Sequence, residues 1–147
     1  MKKPLPPSYF MGALLLTVGL HFLWPWRQLF QFPLTLVGFL PIAAGVVLNL
    51  SADRALNRQN TTVKPFEESR VLITSGVYRL SRNPMYLGMA LIILGVAVFL
   101  GSATPFLIAI LLPLLLHWKF INPEEAMLSR SFGKVFTEYR THTRKWI

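Results

Sequence analysis

Glu124 and Glu125 are adjacent carboxylates in a chain that carries only six acids, and they follow an apolar run, residues 85–118, that contains no charged residue. At the other end of that run stands a polar stretch, residues 74–88, with Tyr78, Arg79, Arg82, Asn83, Pro84, Met85 and Tyr86. If the run crosses a bilayer and returns, both polar islands end on one membrane face. A helix start beside an arginine favours an anionic group, and a carboxylate favours an ammonium. Together they suit a zwitterionic small molecule at the mouth of a helix bundle.

The elements that must position these residues are read from hydropathy. The chain has 147 residues, 53% of them hydrophobic, and a mean hydropathy of +0.48, more apolar than an ordinary soluble domain. Residues 9–24, 34–50, 85–100 and 104–118 form four runs almost without charge. Too little polar sequence is left to wrap them, so the expected fold is all-α: one multi-pass transmembrane bundle of about four spans over residues 1–147. A cleaved leader is the first alternative for Lys2-Lys3 and the run behind them, but residues 20–25 are bulky where cleavage needs small side chains, so helix one is expected to remain.

Charge sets the topology. Fourteen of the fifteen lysines and arginines precede run one, lie between runs two and three, or follow run four, leaving Arg27 alone on the other side. The positive-inside rule then puts both termini and both islands in the cytoplasm, with a bacterial inner membrane as the expected location. The net charge of +9 is thereby spent on orientation, and no nucleic-acid partner is expected. The chain lacks cysteine, which excludes disulfides, thiolate metal sites and a thiol nucleophile. His21, His117 and His142 are scattered without ligand spacing, so no metal is expected.

Along the chain, helix two is expected to bend at Pro41 and to continue through residues 52–56. Residues 57–81 read as an ordered loop with short helical turns at most, long enough to be functional. Gly101 and Thr104-Pro105 punctuate a tight hairpin between runs three and four. A separate amphipathic helix is expected near 123–140, lying at the interface with Leu128, Phe132, Val135, Phe136 and Tyr139 on one side and Arg130, Lys134 and Arg140 away from them.

Plain structural roles compete at each position. Asn83-Pro84 is a good helix start, and Glu124-Glu125 fits the first turn of a helix capped at Asn122. Tyr78 and Tyr86 suit a membrane-interface belt, and Gly88 with Gly95, seven apart, suits close helix packing or the approach of a flat ligand. Residues 60–62 spell a glycosylation sequon, discounted because the topology keeps it in the cytoplasm.

The motif G-x-Y-x-x-x-R-[HN]-P-x-Y-x-G, spelled by Gly76, Tyr78, Arg82, Asn83, Pro84, Tyr86 and Gly88, is followed by Glu124-Glu125, Phe132-Gly133 and Tyr139. It resembles the isoprenylcysteine carboxyl methyltransferase family and its phospholipid methyltransferase relatives, over roughly residues 60–147. The resemblance implies an integral membrane enzyme that uses S-adenosylmethionine from the cytoplasm and a lipophilic acceptor from the bilayer. It implies cofactor contacts at Arg70, Val71, Leu72, Ile73 and Tyr78, a second stretch at Asn83, Pro84, Met85 and Tyr86, and Glu124 as acceptor of the cofactor's amino group. Arg82 joins this set through its place beside the helix start, and Glu125 and Lys119 are candidates for positioning. Two departures stand out. Asn83 replaces a common histidine, and Phe120 stands where a substrate-side arginine is usual, with Lys119 one position away.

Two other classes fit the hydropathy: an NADPH-dependent membrane reductase of related architecture, and a non-catalytic membrane subunit or transport component. A dinucleotide phosphate calls for several cations and no neighbouring carboxylate pair. Transport calls for ionisable groups inside the spans.

Overall fold

The computed structural model describes residues 5–58 and 71–147, and among these every regular element is helical. Helices α1 (Pro6–Leu23), α2 (Phe39–Arg58), α3 (Pro84–Leu100) and α4 (Pro105–Leu116) form the bundle, and a π-helical turn (His117–Ile121) leads into α5 (Asn122–His142). Pro6, Pro84 and Pro105 open their helices, where the missing N–H costs no ladder bond. Segments Pro6–Leu23, Leu34–Arg58 and Pro105–His142 have the length and apolarity to cross a bilayer, and Pro84–Leu100 is apolar but shorter. Leu15, Leu16, Phe22, Leu40, Val47, Ile110, Leu111 and Leu114 face outward, an apolar exterior suited to lipid. This is the multi-pass all-α bundle expected.

The α2–α3 seam is a close helix contact. A Cβ added to Gly45 would lie 2.5 Å from the Gly88 carbonyl oxygen, and one added to Gly95 would lie 2.6 Å from that of Gly38. Gly38, at the end of the 3-10 turn before α2, and Gly45 on α2 therefore meet Gly95 and Gly88 of the antiparallel α3, which brings backbone against backbone. Gly88 faces Asn49 and Gly45, so of its two expected roles the structure shows packing. Pro41 falls in the first turn of α2, which follows a 3-10 turn at Leu34–Gly38, and α2 runs on to Arg58 as expected.

One end of the bundle is closed by backbone. Gly101 adopts φ 79° and ends α3, and its carbonyl accepts from the N–H groups of Leu29 and Phe30 at 2.7 and 3.1 Å. The Ala103 N–H reaches the carbonyls of Trp26 and Arg27, and the Thr104 hydroxyl donates to the Trp24 carbonyl at 2.7 Å rather than capping α4. His21 Nδ1 lies 2.8 Å from Ser102 Oγ. The α1–α2 connection and the α3–α4 turn thus share one end, and the polar islands lie at the other.

Between helix four and the C-terminal helix the structure has a π turn where a cap at Asn122 was expected. The backbone stays helical from Pro105 to Phe132, and Ile121 and Asn122 keep α-helical angles, so Asn122 is not a cap, while Glu124 and Glu125 lie in the first turn of α5 as expected. The π turn explains how the ladder passes Pro123. Asn122 N–H donates to the His117 carbonyl, five residues back, in a widened turn that accommodates a residue with no N–H and a bulky ring. The helix kinks at Gly133, where φ is 51° and ψ is −118°. The single apolar side expected of this helix is consequently divided. Phe136 and Tyr139 are buried whereas Val135 is 61% exposed.

Candidate functional site

The site sits where the start of α3, the beginning of α5 and the chain after α5 converge. Beyond His142 the backbone turns extended at Thr143 and runs beside residues 81–83. Arg82 N–H donates to the Arg144 carbonyl at 3.0 Å, and the Lys145 carbonyl accepts from Asn83 Nδ2 at 3.0 Å and from Ser81 Oγ at 3.3 Å. Asn83 therefore turns its amide to this segment and makes no side-chain cap, although Pro84 behind it opens α3 as expected. Trp146 packs against the core of Ala13, Tyr86, Met89, Ile93, Leu112, Leu116, Phe120 and Ile121.

The adjacent acids have unlike surroundings. Glu125 is buried and takes two cations: Arg82 Nε and Nη2 reach its Oε1 at 2.9 and 2.8 Å, and Lys145 Nζ reaches its Oε2 at 3.1 Å. The rest of the Arg82 fork serves the end of α5, with Nη1 on the carbonyls of Thr143 at 2.5 Å and Arg140 at 3.4 Å. Arg82, expected to greet a ligand anion, is thus mostly spent within the protein. Glu124 instead accepts the Tyr86 hydroxyl at 2.6 Å, and among the described residues no cation contacts it.

Aromatic rings wall the apolar side. Phe120 is buried, edge-on to Tyr9 at 5.4 Å and stacked on Tyr86 at 6.3 Å. Lys119 lies beyond them, its Nζ 4.5 Å above the Tyr9 ring and hydrogen-bonded to the Tyr9 hydroxyl, away from Glu124 and Glu125. On the polar side, the Tyr139 hydroxyl donates to the Tyr78 carbonyl at 2.5 Å and ties the last turns of α5 to the 3-10 turn Gly76–Arg79. Burial, with Tyr139 and Glu124 nearby, raises the Tyr78 phenol above its ordinary value and keeps it neutral. A groove of about 460 Å³ opens between Thr74 and Arg79 on one wall and Val135, Glu138, Tyr139, His142 and Thr143 on the other.

The structure joins Tyr86 to Glu124 and Tyr139 to Tyr78, and it turns Asn83, which precedes Pro84 at the start of α3, to the Lys145 carbonyl. Met85 is half-buried beside them; Leu72 and Ile73 are half-buried, Val71 is exposed, and Arg70 lies outside the described residues. Sequence reasoning missed Lys145, Asn122 as its partner at 3.0 Å, and Trp146. Their only local signal is a tryptophan and two cations just after a helix.

The sequence model of the family described as phospholipid methyltransferase matches residues 34–135, more than half of the chain. The chain belongs to that family. It is similar to the protein-S-isoprenylcysteine O-methyltransferase of Schizosaccharomyces pombe, with 36% identity over 77 residues, 50% of this chain and 31% of that protein. Its fold is similar to the solved structure of the eukaryotic intramembrane Ras methyltransferase, isoprenylcysteine carboxyl methyltransferase, with a TM-score of 0.74 and 25% identity over 96% of this chain. The chain spans about half of that larger enzyme, 52%.

Proposed function

We propose that the protein is an S-adenosylmethionine-dependent membrane methyltransferase acting on a lipophilic acceptor drawn from the bilayer. The observation that carries this reading is Glu124: a carboxylate fixed by the Tyr86 hydroxyl, uncontacted by any cation among the described residues, at the edge of an aromatic wall. Such a group is placed to accept a ligand ammonium. The cofactor, when bound, would be held by Glu124 and Tyr86 and would supply a sulfonium-borne methyl group for transfer to a nucleophilic acceptor.

The chain's own residues bind and align. Glu124 and Tyr86 orient the polar end of the ligand, Tyr78 and Met85 border it, and Tyr9, Phe120 and Tyr86 form the apolar wall beside it. Alignment of donor and acceptor is worth up to about 7–11 kcal/mol of the barrier in favourable intramolecular cases, so a displacement of this kind needs little else. A carboxylate acceptor requires no base. The distribution of cations supports a cytoplasmic position for the site and both termini.

Calorimetric titration of the purified chain with S-adenosylhomocysteine tests the reading. Saturable binding is expected, weakened at least about tenfold in Glu124→Gln through loss of a charge-assisted hydrogen bond. Absence of binding to folded wild-type protein, or an affinity indifferent to Glu124→Gln, would sink it.

A further inference from the structure

The two acids carry opposite electrostatic imbalances. At Glu125 one carboxylate faces two cations, Arg82 and Lys145, so this corner holds one positive charge too many. At Glu124 a carboxylate faces a hydroxyl, and no cation contacts it among the described residues. The residues are adjacent on α5, so both imbalances arise within one helical turn.

The positive surplus resides on Lys145. The Arg82 side chain is only 8% exposed and its fork is occupied by Glu125 and two carbonyls, whereas the Lys145 side chain is 27% exposed. An ammonium has three N–H donors. Two go to Glu125 Oε2 at 3.1 Å and Asn122 Oδ1 at 3.0 Å, and the third has no acceptor among the described residues. The ammonium is also well positioned, because the Lys145 carbonyl is held by Asn83 and Ser81 and the next residue, Trp146, is packed into the core.

We infer that Lys145 binds the carboxylate of the same zwitterionic ligand whose ammonium Glu124 accepts, so that the extended segment after α5 supplies half of the amino-acid receptor. This rests on the reading of Glu124 given above. It assigns to Lys145 the role that position alone suggests for Arg82. Arg82 becomes a positioning residue, holding Glu125 and through it Lys145.

The test compares two probes on the full chain in nanodiscs: S-adenosylhomocysteine, and its decarboxylated analogue, which keeps the ammonium and loses the carboxylate. Wild-type protein is expected to prefer the first by about tenfold or more, the size of one charge-assisted hydrogen bond. Lys145→Met should bring that preference to within about twofold and Lys145→Arg should retain it, as a charge contact requires. If Lys145→Met weakens both probes equally and leaves their ratio unchanged, the segment is only structural and the inference is overturned.

Should Lys145→Met fail to fold, wild-type protein answers through the rate of reductive methylation at Lys145, read by mass spectrometry. Protection by S-adenosylhomocysteine but not by the analogue supports the inference, and equal protection by both, or by neither, overturns it. If the wild type binds neither probe, the cofactor reading itself fails.

Discussion

Helix α3 is held on two sides by unlike means. Against α2 it has a seam without charges, where Gly38, Gly45, Gly88 and Gly95 let the backbones touch. Against α5 and the segment beyond it, the start of α3 has a junction of ions and hydrogen bonds built on Arg82, Asn83, Glu125 and Lys145. The seam depends on shape and has one geometry. The junction depends on charges from segments more than forty residues apart, which can be completed or disturbed by a charged ligand. The scaffold and the site therefore use different physics on opposite flanks of one helix.

Breaking the junction should cost most. Glu125→Leu leaves Arg82 and Lys145 facing each other without a counter-charge, and a loss of about 3–5 kcal/mol is expected, as for other buried pairs deprived of one partner. Equilibrium unfolding in mixed detergent micelles measures it. A simultaneous loss of S-adenosylhomocysteine binding would show that site and junction are one unit.

Breaking the seam should come next. In Gly45→Leu the new side chain meets the Gly88 carbonyl and Ile92, and a cost of about 3 kcal/mol is expected from overpacking. The same unfolding assay applies, run at low and high salt. Because no charge crosses the seam, the loss should be the same in both, and a strong salt dependence would show that the seam and the junction are coupled.

The smallest effect sharpens the meaning of glycine spacing. Gly12 and Gly19 on α1 are also seven apart, yet nothing lies within 4 Å of a Cβ added at either. Gly19→Ala is expected to change stability by less than about 1 kcal/mol, in the stabilising direction, because alanine is the better helix former. A loss comparable to that of Gly45→Leu would reveal a partner against this face.

These contrasts also explain what could be read from the chain. Four apolar runs, Gly101 at the end of α3, Pro84 and Pro105 at helix starts and the seven-residue interval of Gly88 and Gly95 are local patterns, and the structure carries all of them, with α2 beginning later, at Phe39. The caps were illegible because tertiary partners outbid the local ones: Asn83 serves the Lys145 carbonyl, and Thr104 serves the end of α1. Asn122-Pro123 reads as a helix start in any short window. The widened turn before it, in which Phe120 and Ile121 are buried in the core, lets the helix pass through. Glu124 was legible as a candidate through scarcity of acids, but its separation in role from Glu125 was not, since the deciding cation lies twenty residues further on.

The helical backbone that continues from Pro105 through the π turn to Phe132 has a mechanical meaning. Its first turns stand among lipid-facing residues, and Glu124 and Glu125 ride on the same axis past the π turn. With a rise of about 1.5 Å per residue, the stretch from Asn122 to Phe132 is about 15 Å long, so a tilt of roughly 5° swings its far end by about 1 Å. A pair of separate helices would absorb such a tilt at the joint. Here the lipid-facing turns of α4 and the two carboxylates are joined by continuous helical backbone.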